Sequence, residues 1–114
     1  MKLETLSLRI GREIEPGAGD VAPAIHLSTT FERDADGEFS RGYSYTRADN
    51  PTRRALEQCI AALEGGQDAT AYAYGSAASL AVFSLLRPGD HVVAPIESYH
   101  GTAKQLRDIL GPQG

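Results

Sequence analysis

Basic charge, cysteine and long apolar runs are all scarce in this 114-residue chain, and each scarcity excludes something. Eleven Lys and Arg stand against fifteen Asp and Glu, giving a net charge of -4 and a pI near 5.3. No basic surface is available to neutralise a run of phosphates, so nucleic acid is not an expected partner. The single cysteine, Cys59, allows no intramolecular disulfide and fits a reducing compartment, which makes the cytoplasm the expected location. The opening MKLETLSLRIGRE alternates charged and apolar residues without building an apolar core, and no later stretch approaches a membrane-spanning length. Neither a signal peptide nor a membrane partner is expected. His26, His91 and His100 form no metal-ligand spacing with Cys59, which reads as a helix core residue, so no metal site is expected. A Walker lysine motif and a GxGxxG after a strand are both missing, which argues against a nucleotide-binding domain.

What is present divides near Asn50. Before it, Gly, Pro, Asp and Ser interrupt every period, so residues 1–50 read as an extended arm. Within the arm, Val21 to Leu27 is a short apolar run whose Pro23 suits an edge or irregular segment, lying across something else. Asp34, Asp36 and Glu38 read as loop charges. Asn50-Pro51 is a helix start, because Asn accepts from unpaired backbone N–H groups and Pro at the first helical position gives up no hydrogen bond. That helix should run to Glu64, with Leu56, Cys59, Ile60 and Leu63 on one buried face and Gly65-Gly66 as its stop. Arg53 and Arg54 oppose the helix dipole in its first turn, which implies partners beyond the helix. Ala69 to Tyr74 is a strand candidate, Gly75 a turn, and Ser76 to Leu86 a mostly apolar helix expected to be buried. Arg87-Pro88-Gly89-Asp90 is a tight turn, His91 to Ile96 a second strand and Thr102 to Leu110 another helix. Strands alternating with helices imply an α/β fold with a parallel sheet, here unfinished because two strands cannot have both faces covered.

Three groups could carry chemistry. Gly75 and Ser76 lie where a strand gives way to a helix, so free amides, the helix dipole and the Ser76 hydroxyl could hold a phosphate; on spacing alone, a plain strand-to-helix turn with Ser76 as its cap is the commoner arrangement. Tyr43-Ser44-Tyr45-Thr46-Arg47 offers an arginine fork and a tyrosine hydroxyl to an anion, or is a solvated loop with aromatics against the surface. Tyr99-His100-Gly101-Thr102 follows the end of a presumed parallel strand, where α/β sheets place ligands. Tyr99 could there stack on a planar ring or exchange a proton, or simply pack.

The ordered series VAPAIHLSTTF, YSYTRADNPTRRALE, AALEGGQDA, GSAAS, LRPGDHVVAP and SYHGT resembles the N-terminal third of the transsulfuration enzymes of cysteine and methionine metabolism. That family includes cystathionine γ-synthase, the cystathionine lyases, methionine γ-lyase and homoserine sulfhydrylases. The resemblance implies a fold-type I pyridoxal-phosphate transferase, with residues 1–50 as an arm to the neighbouring subunit and 51–114 as the beginning of the cofactor-binding large domain. It also implies a homodimer or homotetramer and a small amino-acid substrate. By position, Tyr45 and Arg47 would reach the cofactor phosphate of the neighbouring subunit, Gly75 and Ser76 would hold the phosphate in their own subunit, and Tyr99 would stack on the pyridine ring and assist proton transfer.

The sequence also departs from the family pattern. Tyr74 stands before Gly75 where a serine is usual, and Ser76 follows it where a bulky apolar residue is usual. Gly101 stands where methionine γ-lyases commonly have cysteine. The Schiff-base lysine, the aspartate facing the pyridine nitrogen and the arginine for the substrate carboxylate would all fall beyond Gly114, and Lys2 and Lys104, the only lysines, match none of them. The reading is therefore the N-terminal segment of a pyridoxal-phosphate enzyme for γ-replacement or elimination on activated homoserine or cystathionine, with the 114 residues alone inactive. A naturally truncated inactive product, a β-lyase, sulfhydrylase or methionine γ-lyase, and a non-enzymatic α/β interaction module stay open as alternatives.

Overall fold

The computed structural model describes residues 1–12, 14 and 17–114; Glu13, Glu15 and Pro16, which belong to the expected arm, lie outside the described residues. The chain forms two compact units, Met1–Ala71 and Tyr72–Gly114, so Asn50 lies inside the first.

In the first unit the arm opens with a helix that the interrupted pattern did not suggest, α1 (Leu3–Arg9). Its one local signal is charge: Glu4 lies in the first turn and Arg9 in the last, each on the favourable end of the dipole. Behind it Gly11 has φ +72 and runs so close to α2 that a Cβ there would meet the backbone of Ala55, a place only glycine can fill. α2 (Pro51–Glu64) has the bounds that its signals imply. The Asn50 side chain accepts from Thr52 N at 2.9 Å, Pro51 opens the first turn, and Gly65 ends the helix at φ 67.

The buried side of α2 differs from the expected one. Ala61 and Glu57 are buried and Cys59 half-buried, whereas Leu56 and Ile60 remain exposed. Cys59 Sγ lies 4.0 Å from Ser7 O, so α1 covers that side of the helix and nothing among the described residues covers the Leu56–Ile60 side.

The arm lies across the start of α2, held mainly by polar contacts. His26 N donates to Thr52 Oγ1 at 2.9 Å, and Asn50 Nδ2 donates to His26 O at 3.2 Å and Thr46 Oγ1 at 2.7 Å. Asn50 is only 7% exposed, and these bonds satisfy its whole amide. An antiparallel bridge between Thr30 and Tyr45 closes a loop. Inside that loop Asp34 accepts from Ser40 N at 2.7 Å and Asp36 from Glu38 N at 3.1 Å, so these carboxylates pin turns. Hydrogen bonds from Ser40 hold the Asp34 carboxyl below the usual aspartate range.

Arg53 and Arg54 have the partners that their place at a helix N-terminus requires. Arg54 Nη1 meets Asp68 Oδ1 at 2.7 Å and Glu57 Oε2 at 3.7 Å. The hydrogen bond to Asp68 raises the Arg54 pKa, and the reciprocal bond lowers that of Asp68. Arg53 Nε lies 3.6 Å from Glu57 Oε1, which also accepts from Ala71 N at 2.9 Å. The buried Glu57 carboxylate is thus paired with two cations and one amide, which offsets its desolvation.

The segment that leads from the first unit into the second is one that the sequence pattern reads as a strand. Residues 69–74 and 91–96 carry no strand hydrogen bonding, and the only pairing among the described residues is the Thr30–Tyr45 bridge. A strand is stabilised by the ladder to its neighbours, and these segments find none to pair with. α3 (Gly75–Phe83) is apolar as expected but has no buried residue, for want of a covering layer; Val82 stays exposed and Leu80 partly so. The Arg87–Asp90 turn forms, with Arg87 N donating to Asp90 Oδ2 at 2.7 Å and Asp90 N returning to Arg87 O at 3.0 Å. The last helix starts two residues earlier than expected, as α4 (His100–Lys104), and continues as a wider π turn over Gln105–Leu110.

Candidate functional site

The second unit brings three of the expected residues together. Tyr74 precedes α3 in an extended conformation, φ -138 and ψ 138, with no side-chain cap. The first amides with acceptors are Ala77 N and Ala78 N, both donating to Tyr74 O at 3.0 and 3.2 Å. Among the described residues, Gly75 N and Ser76 N therefore point from the helix start with no acceptor, at the positive end of the α3 dipole. Gly75 has open space where a Cβ would be, so an anion can come close to the backbone.

Tyr99 is the residue that leads into α4, and it is open to solvent, at 73% exposure. Gly101 is the link. A Cβ on Gly101 would lie 2.6 Å from Tyr99 Cε1 and 3.3 Å from Ser76 Oγ, so the Tyr99 ring and the Ser76 hydroxyl flank a space that only a hydrogen fills. Gln105 Nε2 donates to Ser76 O at 2.7 Å and ties the first turn of α3 to the helix that follows Tyr99. Spacing along the sequence did not mark Gln105, because this contact spans 29 positions.

Tyr45 and Arg47 belong to the first unit, and each unit presents its residues separately. The Arg47 guanidinium carbon lies 5.0 Å from the centre of the Tyr45 ring, within cation–π range. Arg47 is exposed and makes no ion pair or hydrogen bond among the described residues, so its fork is available to an anion. Arg53 has here the partners beyond the helix that the sequence implies: its Nη1 donates to Thr46 O at 3.0 Å and its Nη2 to Ala48 O at 2.7 Å.

Two free amides, a hydroxyl and an exposed aromatic face in one place suit a phosphate monoester joined to a flat ring, and the donor set fits pyridoxal phosphate. Among the described residues no group of His, Cys, Asp and Glu could hold a metal ion, and no helix is long and apolar enough to cross a membrane.

Comparison with known proteins points the same way. Residues 4–114 match the family described as Cys/Met metabolism PLP-dependent enzyme. The chain is 43% identical over 107 residues to the cystathionine gamma-synthase of Mycobacterium bovis, a match that covers 93% of this chain and 28% of that protein. It is 36% identical to the cystathionine beta-lyase of Coxiella burnetii, over 94% of this chain and 27% of that one. Among solved structures, that of metB from Corynebacterium glutamicum superposes with a TM-score of 0.92 at 38% identity, covering all of this chain and 30% of the other. The backbone thus follows the family's path even where the sheet hydrogen bonds are missing.

Proposed function

Because the chain belongs to the Cys/Met metabolism PLP-dependent enzymes, we propose that it supplies the phosphate- and ring-binding part of an enzyme for γ-replacement or elimination on activated homoserine or cystathionine. The chain spans about 28% of the length of the curated relatives that it matches, so the activity belongs to a polypeptide of the family's full length. Bound there, pyridoxal phosphate supplies an electron sink for carbanion chemistry at the substrate. The Gly75 and Ser76 amides and the Ser76 hydroxyl hold its phosphate, and the dipole of α3 adds to their field. The Tyr99 ring stacks on the pyridine face, and its hydroxyl moves a proton at the substrate. Tyr45 and Arg47, on the arm of residues 1–50, serve the phosphate of a neighbouring copy in a cytoplasmic homodimer or homotetramer, while residues 51–114 begin the large domain.

The observation that carries this reading is the pair of acceptor-free amides at Gly75 and Ser76 beside the exposed Tyr99 ring.

Gly75→Pro tests the site directly. Proline is tolerated at the first helical position, and Tyr74 already has the extended conformation that a following proline requires, so α3 should still form. The substitution deletes one free N–H. Pyridoxal phosphate binding in the full-length protein should weaken by roughly tenfold to hundredfold, as expected for losing a hydrogen bond to a charged group. Unchanged affinity, with the helix intact by circular dichroism, would refute the phosphate site.

A further inference from the structure

Arg53 enters no catalytic reading of the sequence, yet its guanidinium makes two hydrogen bonds and two ion pairs within the first unit. Its guanidinium donates to Thr46 O at 3.0 Å and to Ala48 O at 2.7 Å, the carbonyls of the residues on either side of Arg47. Its remaining faces meet Asp49 Oδ1 and Glu57 Oε1, each at 3.6 Å. Glu57 is 6% exposed and is itself held by Ala71 N, so the anchor rests on a fixed carboxylate within the first unit.

We infer that Arg53 is a positioning residue that clamps the carbonyls of Thr46 and Ala48, the residues on either side of Arg47, onto α2, so that the Tyr45–Arg47 pair is held ready for the phosphate it serves. A planar guanidinium can bridge two carbonyls in one geometry, whereas an ammonium is a single point of donation. With both neighbouring carbonyls held, Arg47 keeps its backbone while its side chain stays free over the Tyr45 ring. Arg54 is the natural control. It lies next in sequence and pairs with Asp68 and Glu57, but among the described residues its side chain makes no hydrogen bond or ion pair with residues 46–48.

This inference rests on the reading of Tyr45 and Arg47 as phosphate ligands, and its test separates the two. Amide hydrogen exchange in the full-length protein reads the clamp without any ligand. The reporters are Thr46 N, bonded to Thr29 O, and Ala48 N and Asp49 N, both bonded to Tyr45 O. In Arg53→Ala these amides should exchange about tenfold faster. Arg53→Lys keeps the charge and its pairing with Asp49 and Glu57 but loses the two-carbonyl bridge, so it should also accelerate them. Arg54→Ala should not. Unchanged exchange in both Arg53 variants, or equal acceleration in Arg54→Ala, would overturn the clamp.

The second readout is the affinity ratio of pyridoxal phosphate to pyridoxal, which isolates the phosphate from the ring. Arg53→Lys should lower this ratio about tenfold in the same direction as Arg47→Ala. General loosening would weaken both ligands and leave the ratio in place, which would count against positioning. If Arg47→Ala leaves the ratio unchanged, the phosphate reading of Arg47 falls, and the exchange data still judge the clamp alone.

Discussion

Single side chains here divide into those the chain satisfies and those it leaves ready. Asn50 and Glu57 are buried and every polar contact they need is made, whereas Arg47, Tyr99 and the amides of Gly75 and Ser76 are left open. Desolvating a polar group without a partner is unfavourable, so an open donor at the surface is where a ligand can be met at least expense in hydration. For Arg47 the proposal is that the ligand lies in a neighbouring subunit. An Arg47→Ala protein of full family length can be refolded with a second inactive protein that lacks the cofactor-holding lysine. If Arg47 acts across the interface, each mixed dimer regains one site with both groups intact. Equal random mixing should then restore roughly a quarter of the unmutated activity, by counting two-fold pairings. If Arg47 serves its own subunit, every mixed site lacks one group, and activity stays at the Arg47→Ala level.

Among the elements, α2 organises the first unit, because its N-terminus is both a helix cap and a dock for the arm. Asn50 does both jobs with different atoms: Oδ1 caps Thr52 N, while Nδ2 holds His26 O and Thr46 Oγ1. Asn50→Ala should therefore loosen both. Exchange at Arg54 N, which bonds to Asn50 O in the first turn, should speed up by about twofold to thirtyfold, the range for loss of such a cap. Asn50→Asp keeps an acceptor for Thr52 N but loses the two donors. It should spare Arg54 N and accelerate only His26 N, which reports the arm. Equal loosening of both amides by Asn50→Asp would mean that the two jobs are one.

For the molecule as a whole, the surface it exposes is the telling quantity. Ala61 is the one buried apolar residue among the described residues, while Val93, Ile96 and Tyr74 lie open on segments whose backbone has no ladder partner. Such surface favours association. The 114-residue chain alone should sediment as oligomers or aggregates and should not unfold in one cooperative monomeric transition. It should also be catalytically inactive. Mixed with pyridoxal phosphate and treated with borohydride, it should take up no stoichiometric label at Lys2 or Lys104, because neither lysine is placed by a completed sheet. A clean monomeric transition, or full labelling together with turnover, would show the chain to be self-sufficient.

What was legible in the sequence is what depends on neighbours within a few positions. The bounds of α2 follow from Asn50-Pro51 and Gly65, the Arg87–Asp90 turn from its own side chain, and the start of α3 from Gly75-Ser76, since each of these bonds closes over a short loop. The family likeness was legible for the same reason, as a series of short local motifs. Only the tertiary structure decided what spans longer separations. It showed which side of α2 is buried, that Arg53 holds the carbonyls around Arg47, and that Ser76, Gly101 and Tyr99 meet. It also left the segments at 69–74 and 91–96 unpaired and α3 uncovered, against the local pattern. Alternation and apolarity announce that a segment can join a sheet or a core, but ladders and burial come into being only where other chain lies alongside.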